Sequence, residues 1–357
     1  MGTIKVLIVD DSAVVRQMYK SLLETDPEIC VIGTASDPYI AAQKIQKEKP
    51  DVITLDIEMP RMDGLTFLKK IMTQAPMPVI VISNQTLRGA DVALKSLEAG
   101  AVDVMAKPNL SNEQEINESR ITLLDKVRSA YFAKGVHGKN RKPISALKTV
   151  PPRSEDLGSF SSHAVIAVGA STGGTEAIRV FLQSLPAHMP PILIVQHMPQ
   201  NFTASFARRL DEICALKVKE AEDNEIVQPG TVYIAPGGLH MSIRNQHGKI
   251  AIKIAQGELV NRHRPSVNVL FNSVAEVKGR YAIGVMLTGM GDDGATGMAA
   301  MHEKGAYTIA QDEATSVVYG MPYKALLAGG VSKVLPLGEI SHEVCSKLHK
   351  RSTDGED

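Results

Sequence analysis

Lys5-Val6-Leu7-Ile8-Val9-Asp10-Asp11-Ser12 is a short apolar run that ends on two carboxylates and a hydroxyl. A run of this length, apolar at almost every position, is a strand buried on both faces, and a serine just beyond it is a helix-start signal. Working outward, Cys30–Ala35, Val52–Asp56, Pro78–Ser83 and Val102–Met105 repeat the pattern, each separated from the next by helical periodicity. Five such β-α units predict a five-stranded parallel sheet covered by helices on both faces. Farther on, Ala164–Gly169, Ile192–Gln196, Thr231–Ala235 and Ala282–Thr288 are equally strand-like. They predict a second α/β domain, doubly wound and mainly parallel.

Between the two sets lies Ala133–Phe160, rich in Lys, Arg, Pro, Gly and Ser and without strand or helix periodicity, as a solvated linker is. Charge divides the same way: residues 1–132 carry a net −3, 133–160 a net +4, and 161–357 a net −1. The 357 residues suit two domains with cores of their own. The expected organisation is therefore 1–132, a basic linker 133–160, a second domain 161–350, and a polar tail 351–357. Zero net charge argues against a nucleic-acid binder. No apolar run reaches membrane-span length, and the N-terminus leads straight into a strand instead of a signal peptide. Cys30, Cys214 and Cys345 are odd in number and far apart, which excludes a disulfide framework and metal-ligand spacing. The expectation is a cytoplasmic protein with no membrane insertion.

Ligands of an open parallel sheet collect beyond the carboxyl ends of its strands. In the first domain those ends carry Asp10 and Asp11, Asp56, Ser83, and Lys107. Three converging carboxylates repel unless a cation sits among them, and oxygen donors of this kind suit Mg²⁺. A carboxylate beside the metal could attack a phosphoryl donor, with the lysine and the hydroxyl holding the new oxygens. These residues (VDDS at 9–12, LDIEMPRMDG at 55–64, IS at 82–83, AKP at 106–108) resemble the receiver domain of two-component response regulators. The resemblance implies a flavodoxin-like fold, Asp56 as phosphoacceptor, and Asp10, Asp11 and Asp56 around Mg²⁺. Ser83 would be the switch hydroxyl and Lys107 the phosphate-sensing lysine. Many receivers carry an aromatic residue three positions before that lysine; here it is Val104, which argues against signalling through an aromatic rotamer.

In the second domain the first strand runs into Gly169-Ala170-Ser171-Thr172-Gly173-Gly174 and then a helical segment. This is G-x-S-x-G in a strand–turn–helix context, where a serine sits exposed above the sheet beside unpaired backbone N–H groups. The competing reading is a phosphate-cradling glycine loop with Ser171 as a cap. The segment lacks both G-x-G-x-x-G and the Gly-Lys pair of a P-loop. For a base, His197 directly follows an apolar strand in IVQHMP, and His240 in APGGLHM is second choice. For an orienting carboxylate, Thr288–Gly294 (TGMGDDG) offers Asp292 and Asp293 after another strand. Serine, histidine and aspartate at three strand ends suit a nucleophilic triad in an order unlike that of α/β-hydrolases.

GASTGGTEA, QHMP, APGGLHM, HRPSV and LTGMGDDGA together resemble the catalytic domain of the chemotaxis protein-glutamate methylesterases, the CheB family. The resemblance implies a triad of Ser171, His197 and Asp293, with Asp293 preferred over Asp292, and Thr172, Gly173 and Met290 near the oxyanion and substrate. It implies hydrolysis of glutamyl methyl esters on methyl-accepting chemotaxis receptors, deamidation of particular receptor glutamines, a histidine kinase as phosphodonor, and no cofactor for the esterase. After HRPSV stands Asn268, where many relatives are expected to carry an acidic residue. The rival expectation is a non-enzymatic regulator whose second domain binds a protein or DNA. The net-acidic second domain and its α/β pattern speak against DNA.

Overall fold

The protein is described by a computed structural model covering residues 3–59, 62–108, 112–137 and 163–353. The chain divides into two compact units, Met1–Arg141 and Lys142–Asp357.

In the first unit, five strands alternate with five helices: β1 (Ile4–Val9), α1 (Ala13–Leu23), β2 (Ile29–Ala35), α2 (Pro38–Lys47), β3 (Val52–Asp56), α3 (Gly64–Gln74), β4 (Val79–Ser83), α4 (Leu87–Glu98), β5 (Asp103–Ala106) and α5 (Glu113–His137). The sheet order is β2-β1-β3-β4-β5, all parallel, as expected for a flavodoxin-like unit. Strands β3, β4 and β5 are buried at every position, which is why they stand out in sequence as unbroken apolar runs. Helix starts follow side-chain chemistry: Ser12, Asp37, Asp63 and Thr86 each accept a backbone N–H from the first turn they precede. Strand order reverses between β1 and β3, so Asp10 and Asp56 end up at the same crevice.

Helix α5 runs to His137, into the stretch expected to be linker from residue 133. Leu123, Val127, Ala130 and Ala133 are all buried at three- and four-residue spacing, so the helix keeps an apolar face to that point. The rest of the expected linker, residues 138–160, lies outside the described residues.

The second unit contains β6 (Val165–Ala170), α6 (Gly174–Gln183), β7 (Ile192–Gln196), α7 (Phe202–Ile213), β8 (Lys217–Glu220), β9 (Thr231–Ile234), β10 (His240–Gln246), β11 (Lys249–Ala255), α8 (Val267–Lys278), β12 (Ala282–Met286), α9 (Ala295–Glu303), β13 (Tyr307–Gln311), α10 (Met321–Leu327), β14 (Lys333–Leu335) and α11 (Leu337–Thr353). Seven strands form a parallel sheet in the order β14-β13-β12-β6-β7-β9-β8. The chain leaves β6 towards β7 on one side and returns to β12 on the other, which puts the reversal of strand order at β6. Phe271, Val267, Leu270 and Val274 of α8 pack with Met286, Met298 and Met301 in the core. An antiparallel hairpin, β10–β11, lies against α8, and the Ile243 N–H donates to Ser273 Oγ at 3.0 Å. Neither of its strands is among the expected strand segments. The backbone of α11 continues to Thr353, into the stretch expected as a tail from residue 351.

Candidate functional site

The nucleophile candidate stands at the reversal point. In the β6–β7 ladder, Gly169 pairs with Val195 and Ala170 with Gln196. One step farther along, Ser171 and His197 leave the sheet side by side, and the His197 N–H donates to the Ala170 carbonyl at 3.2 Å. On the other flank the Ser171 N–H donates to Thr288 O at 3.0 Å, tying the turn to the end of β12. The Ser171 carbonyl accepts from Gly174 N at 2.7 Å and from Gln196 Nε2 at 2.9 Å. Three backbone tethers therefore fix this turn without using the Ser171 hydroxyl.

The turn requires glycine at two places. Gly173 has φ +78°, a left-handed conformation open to glycine at little cost, and it starts α6 without a side-chain cap. Gly289 lets the β12 turn approach the serine: a Cβ there would lie 2.8 Å from Ser171 Cβ.

His197 is buried, with Nε2 2.8 Å from Asp293 Oδ2. Its Nδ1 is buried and makes no hydrogen bond. Since an ionised carboxylate only accepts, the proton belongs on Nε2 and the lone pair on Nδ1. This reverses the nitrogens of the familiar serine-protease arrangement, in which Nδ1 faces the aspartate.

Asp293 is 1% exposed, and each of its oxygens has two donors. Oδ2 takes His197 Nε2–H at 2.8 Å and Val267 N–H at 2.6 Å. Oδ1 takes the Ser266 hydroxyl at 2.7 Å and Asn268 N–H at 3.2 Å. The carboxylate thus sits on the N-terminus of α8, where the helix dipole favours negative charge. Ser266 is the N-cap of α8 but makes no cap bond with its side chain; its hydroxyl is turned to Asp293 instead. Burial pushes the Asp293 carboxyl up, but the bonds from His197, Ser266 and Val267 outweigh it and hold the group below the usual carboxylate range. Asp292 points elsewhere: it is exposed and accepts from Asn261 Nδ2 at 3.3 Å.

His240, the second-choice base, is not aimed at the serine. Its Nε2 lies 2.8 Å from Glu258 O, and its Nδ1 accepts from Ser266 N at 3.3 Å. Asn268 is likewise occupied: Oδ1 accepts from Gly297 N at 2.7 Å and Thr296 Oγ1 at 3.0 Å, which caps α9 from outside. Thr172 is buried, with its carbonyl 3.0 Å from Thr288 Oγ1, while Met290 is half-buried on the turn that touches Ser171. Sequence reasoning gave no role to Ser266, Gln196 or His263. HRPSV stood out as a motif, but nothing in its spacing says that its serine meets a carboxylate 27 residues later.

In the first unit, Asp10, Asp11 and Asp56 bring one oxygen each to within 4.8 Å of one another. Lys107 Nζ donates to Asp56 Oδ2 at 2.7 Å and lies 3.0 Å from Asp10 Oδ2, an ion pair without hydrogen-bond geometry. Burial pushes the Asp56 carboxyl up to about 6; Lys107 opposes this and Asp10 adds to it. The ammonium is lowered by burial but raised more by Asp56 and Asp10. Asp11 is exposed, and Ser83 is fully buried with a hydroxyl that makes no hydrogen bond. Val104, 2% exposed within β5, offers no side chain that could swing out as an aromatic switch does.

Comparison with known proteins covers both units. The family profile described as "CheB methylesterase" matches residues 166–344, and "Response regulator receiver domain" matches 6–119. A protein-glutamate methylesterase/protein-glutamine glutaminase of Geobacter metallireducens is 51% identical over 350 residues, spanning 96% of this chain and 99% of that one. Its namesake from Salmonella typhi is 49% identical over 98% of both chains. The crystal structure of the Thermotoga maritima CheB methylesterase catalytic domain is 39% identical, covers 52% of this chain and all of that one, and superposes with a TM-score of 0.51. With near-half identity over almost the full length and both halves matched, the chain belongs to the CheB family of protein-glutamate methylesterase/protein-glutamine glutaminases with a receiver domain.

Proposed function

We propose that this methylesterase and glutaminase works through Ser171 as nucleophile, His197 as general base and Asp293 as the group that holds the imidazole, acting on methyl-accepting chemotaxis receptors. One observation carries the reading: a buried histidine, beside the serine of a strand–turn–helix, has one nitrogen tied to a carboxylate and the other unpartnered. His197 Nδ1 takes the proton of Ser171 Oγ as the oxygen attacks the γ-carbonyl of a glutamyl methyl ester. The oxyanion needs N–H donors other than that of Ser171, which is given to Thr288. Thr172, Gly173 and Met290 lie on the two turns beside the nucleophile and are the proposed source. As the tetrahedral intermediate collapses, His197 returns the proton to the leaving oxygen and methanol departs. Water, deprotonated by the same nitrogen, then frees the glutamate. With a glutamine substrate the leaving group is ammonia. The Ser171 hydroxyl is not among the tethers of its turn, so Ser171→Ala should fold normally and lose several orders of magnitude in ester turnover. Folded Ser171→Ala protein with near-normal turnover refutes the assignment.

In the receiver, Asp56 is the proposed phosphoacceptor, supplied by a histidine kinase. Asp10, Asp11 and Asp56 would hold Mg²⁺, whose oxygen preference and charge fit three converging carboxylates. When bound, the ion neutralises charge on the incoming phosphoryl group. Lys107, bonded to Asp56, and the unsatisfied Ser83 hydroxyl would receive the new phosphoryl oxygens. The curated relatives' names give both activities, which sets aside a purely non-enzymatic output. Among the described residues no helix is long and apolar enough to cross a membrane.

A further inference from the structure

Residues 256–266, between β11 and α8, are held at several points. Val260 and His263 exchange both backbone hydrogen bonds, at 3.1 and 3.0 Å, around Asn261 and Arg262. These two have φ of +48° and +68°, an uncommon conformation for residues with side chains, and one that persists only where the surroundings hold it. Arg264 Nη1 donates to Gly257 O at 2.6 Å, closing the base of the loop. His240 joins Glu258 O to Ser266 N across its ring. Asn261 Oδ1 accepts from Asn268 Nδ2 at 2.9 Å.

This construction delivers one side chain to the catalytic centre. The His263 ring lies on the His197 ring with centroids 3.7 Å apart and planes 13° from parallel. Such an overlap covers one face of His197 and leaves its edge, with both nitrogens, clear. An imidazole held at Nε2 by one hydrogen bond can still rock about that bond. A flat ring stacked on its face removes that freedom, so that Nδ1 keeps its aim when Ser171 Oγ gives up its proton.

We propose that His263 is a positioning residue: by stacking on His197 it fixes the plane of the general base, and the loop 256–266 is built to hold it there. The proposal rests on the assignment of His197 as base. It attributes the effect to the flat face of His263, not to either of its ring nitrogens.

The test uses the full chain, a receptor methyl ester as substrate and three substitutions, with thermal unfolding measured on each. His263→Ala should lower kcat about three- to tenfold, the range expected for losing one stacked aromatic contact, with little change in KM. His263→Phe, which keeps a flat ring but no ring nitrogen, should restore most of kcat. With ¹⁵N-labelled histidine, His197 should show a single tautomer protonated at Nε2 in the parent protein and in His263→Phe, and broadened or mixed signals in His263→Ala. An unchanged kcat in folded His263→Ala overturns the proposal. So does a Phe variant as slow as the Ala variant, which would assign the effect to a polar contact of the ring. His197→Ala is run alongside. If it retains activity, the base assignment itself fails; if it is inactive while His263→Ala matches the parent, only the stacking proposal fails.

Discussion

Replacing Asp293 by asparagine is usually expected to present an amide N–H to the histidine, force the wrong tautomer and cost up to about 10⁴ in turnover. The donors around Asp293 lead to a different expectation. An amide keeps one acceptor oxygen and turns the other position into a donor, so two orientations compete. With the amide oxygen in the Oδ1 position, the NH₂ group meets both the Val267 N–H, which now sits 2.6 Å from Oδ2, and His197 Nε2. With the oxygen in the Oδ2 position, Val267 and His197 keep their acceptor. The Ser266 hydroxyl rotates to accept from the NH₂, and only the Asn268 N–H, at 3.2 Å the longest of the four, loses its partner. The second orientation is better, and it preserves the Nε2–H tautomer. What remains is the loss of a buried negative charge beside the imidazolium that forms in the transition state. Hydrogen bonds to charged groups contribute about 1.5–3 kcal/mol. At the upper end that is ~10²-fold in kcat. Orphaning the Asn268 N–H costs a further ~1–3 kcal/mol of stability. The assay is ester turnover by Asp293→Asn against the parent protein, with urea unfolding of both and ¹⁵N histidine spectra to read the tautomer. A loss of 10⁴ or more with His197 protonated at Nδ1 would refute the reasoning.

Gly289→Ala should cost ~10² in kcat, because its Cβ would sit 2.8 Å from Ser171 Cβ and 2.3 Å from Met321 Sδ; the thioether can swing aside but the serine cannot without misaligning. Turnover within twofold of the parent would show that the turn has slack. In EDTA, burial holds the Asp56 carboxyl at about 6 against its ordinary 3.8, so the folded receiver binds that proton more tightly than the unfolded chain. This contribution to stability is present below about pH 4 and falls away as pH rises to about 6, by up to ~3 kcal/mol. Asp56→Asn should therefore be more stable than the parent at pH 7 and close to it at pH 4, as read by urea unfolding; the opposite ordering sinks the argument. Deleting residues 1–132 should raise ester turnover above that of the unphosphorylated full chain, and Asp56→Asn should abolish stimulation by a phosphodonor while leaving basal turnover. A truncated protein no faster than the whole would mean that the unphosphorylated receiver does not restrain the esterase and that phosphorylation acts positively.

The sequence alone specified the two α/β units, because a parallel sheet buried on both faces writes its strands as apolar runs that local pattern can find. It also brought the polar ends of those runs into view. Asp10, Asp56, Ser83 and Lys107, like Ser171 and His197, each follow an apolar run directly, and in a parallel sheet such positions share one edge. The β10–β11 hairpin was harder to see. Only five of its fourteen strand residues are buried, and its local signals are short: the alternation of Ile250, Ile252 and Ile254 in β11 and a His247-Gly248 turn with both residues at positive φ. Tertiary structure alone decided what the site residues do to each other. Which aspartate meets His197, and at which nitrogen, depends on how the β12 turn folds back over the start of α8. Ser266 gives up its capping role and His263 reaches the His197 ring because separate elements deliver them to one point. No one-dimensional spacing encodes those meetings, since they are set by the strand order that places β6 between β7 and β12.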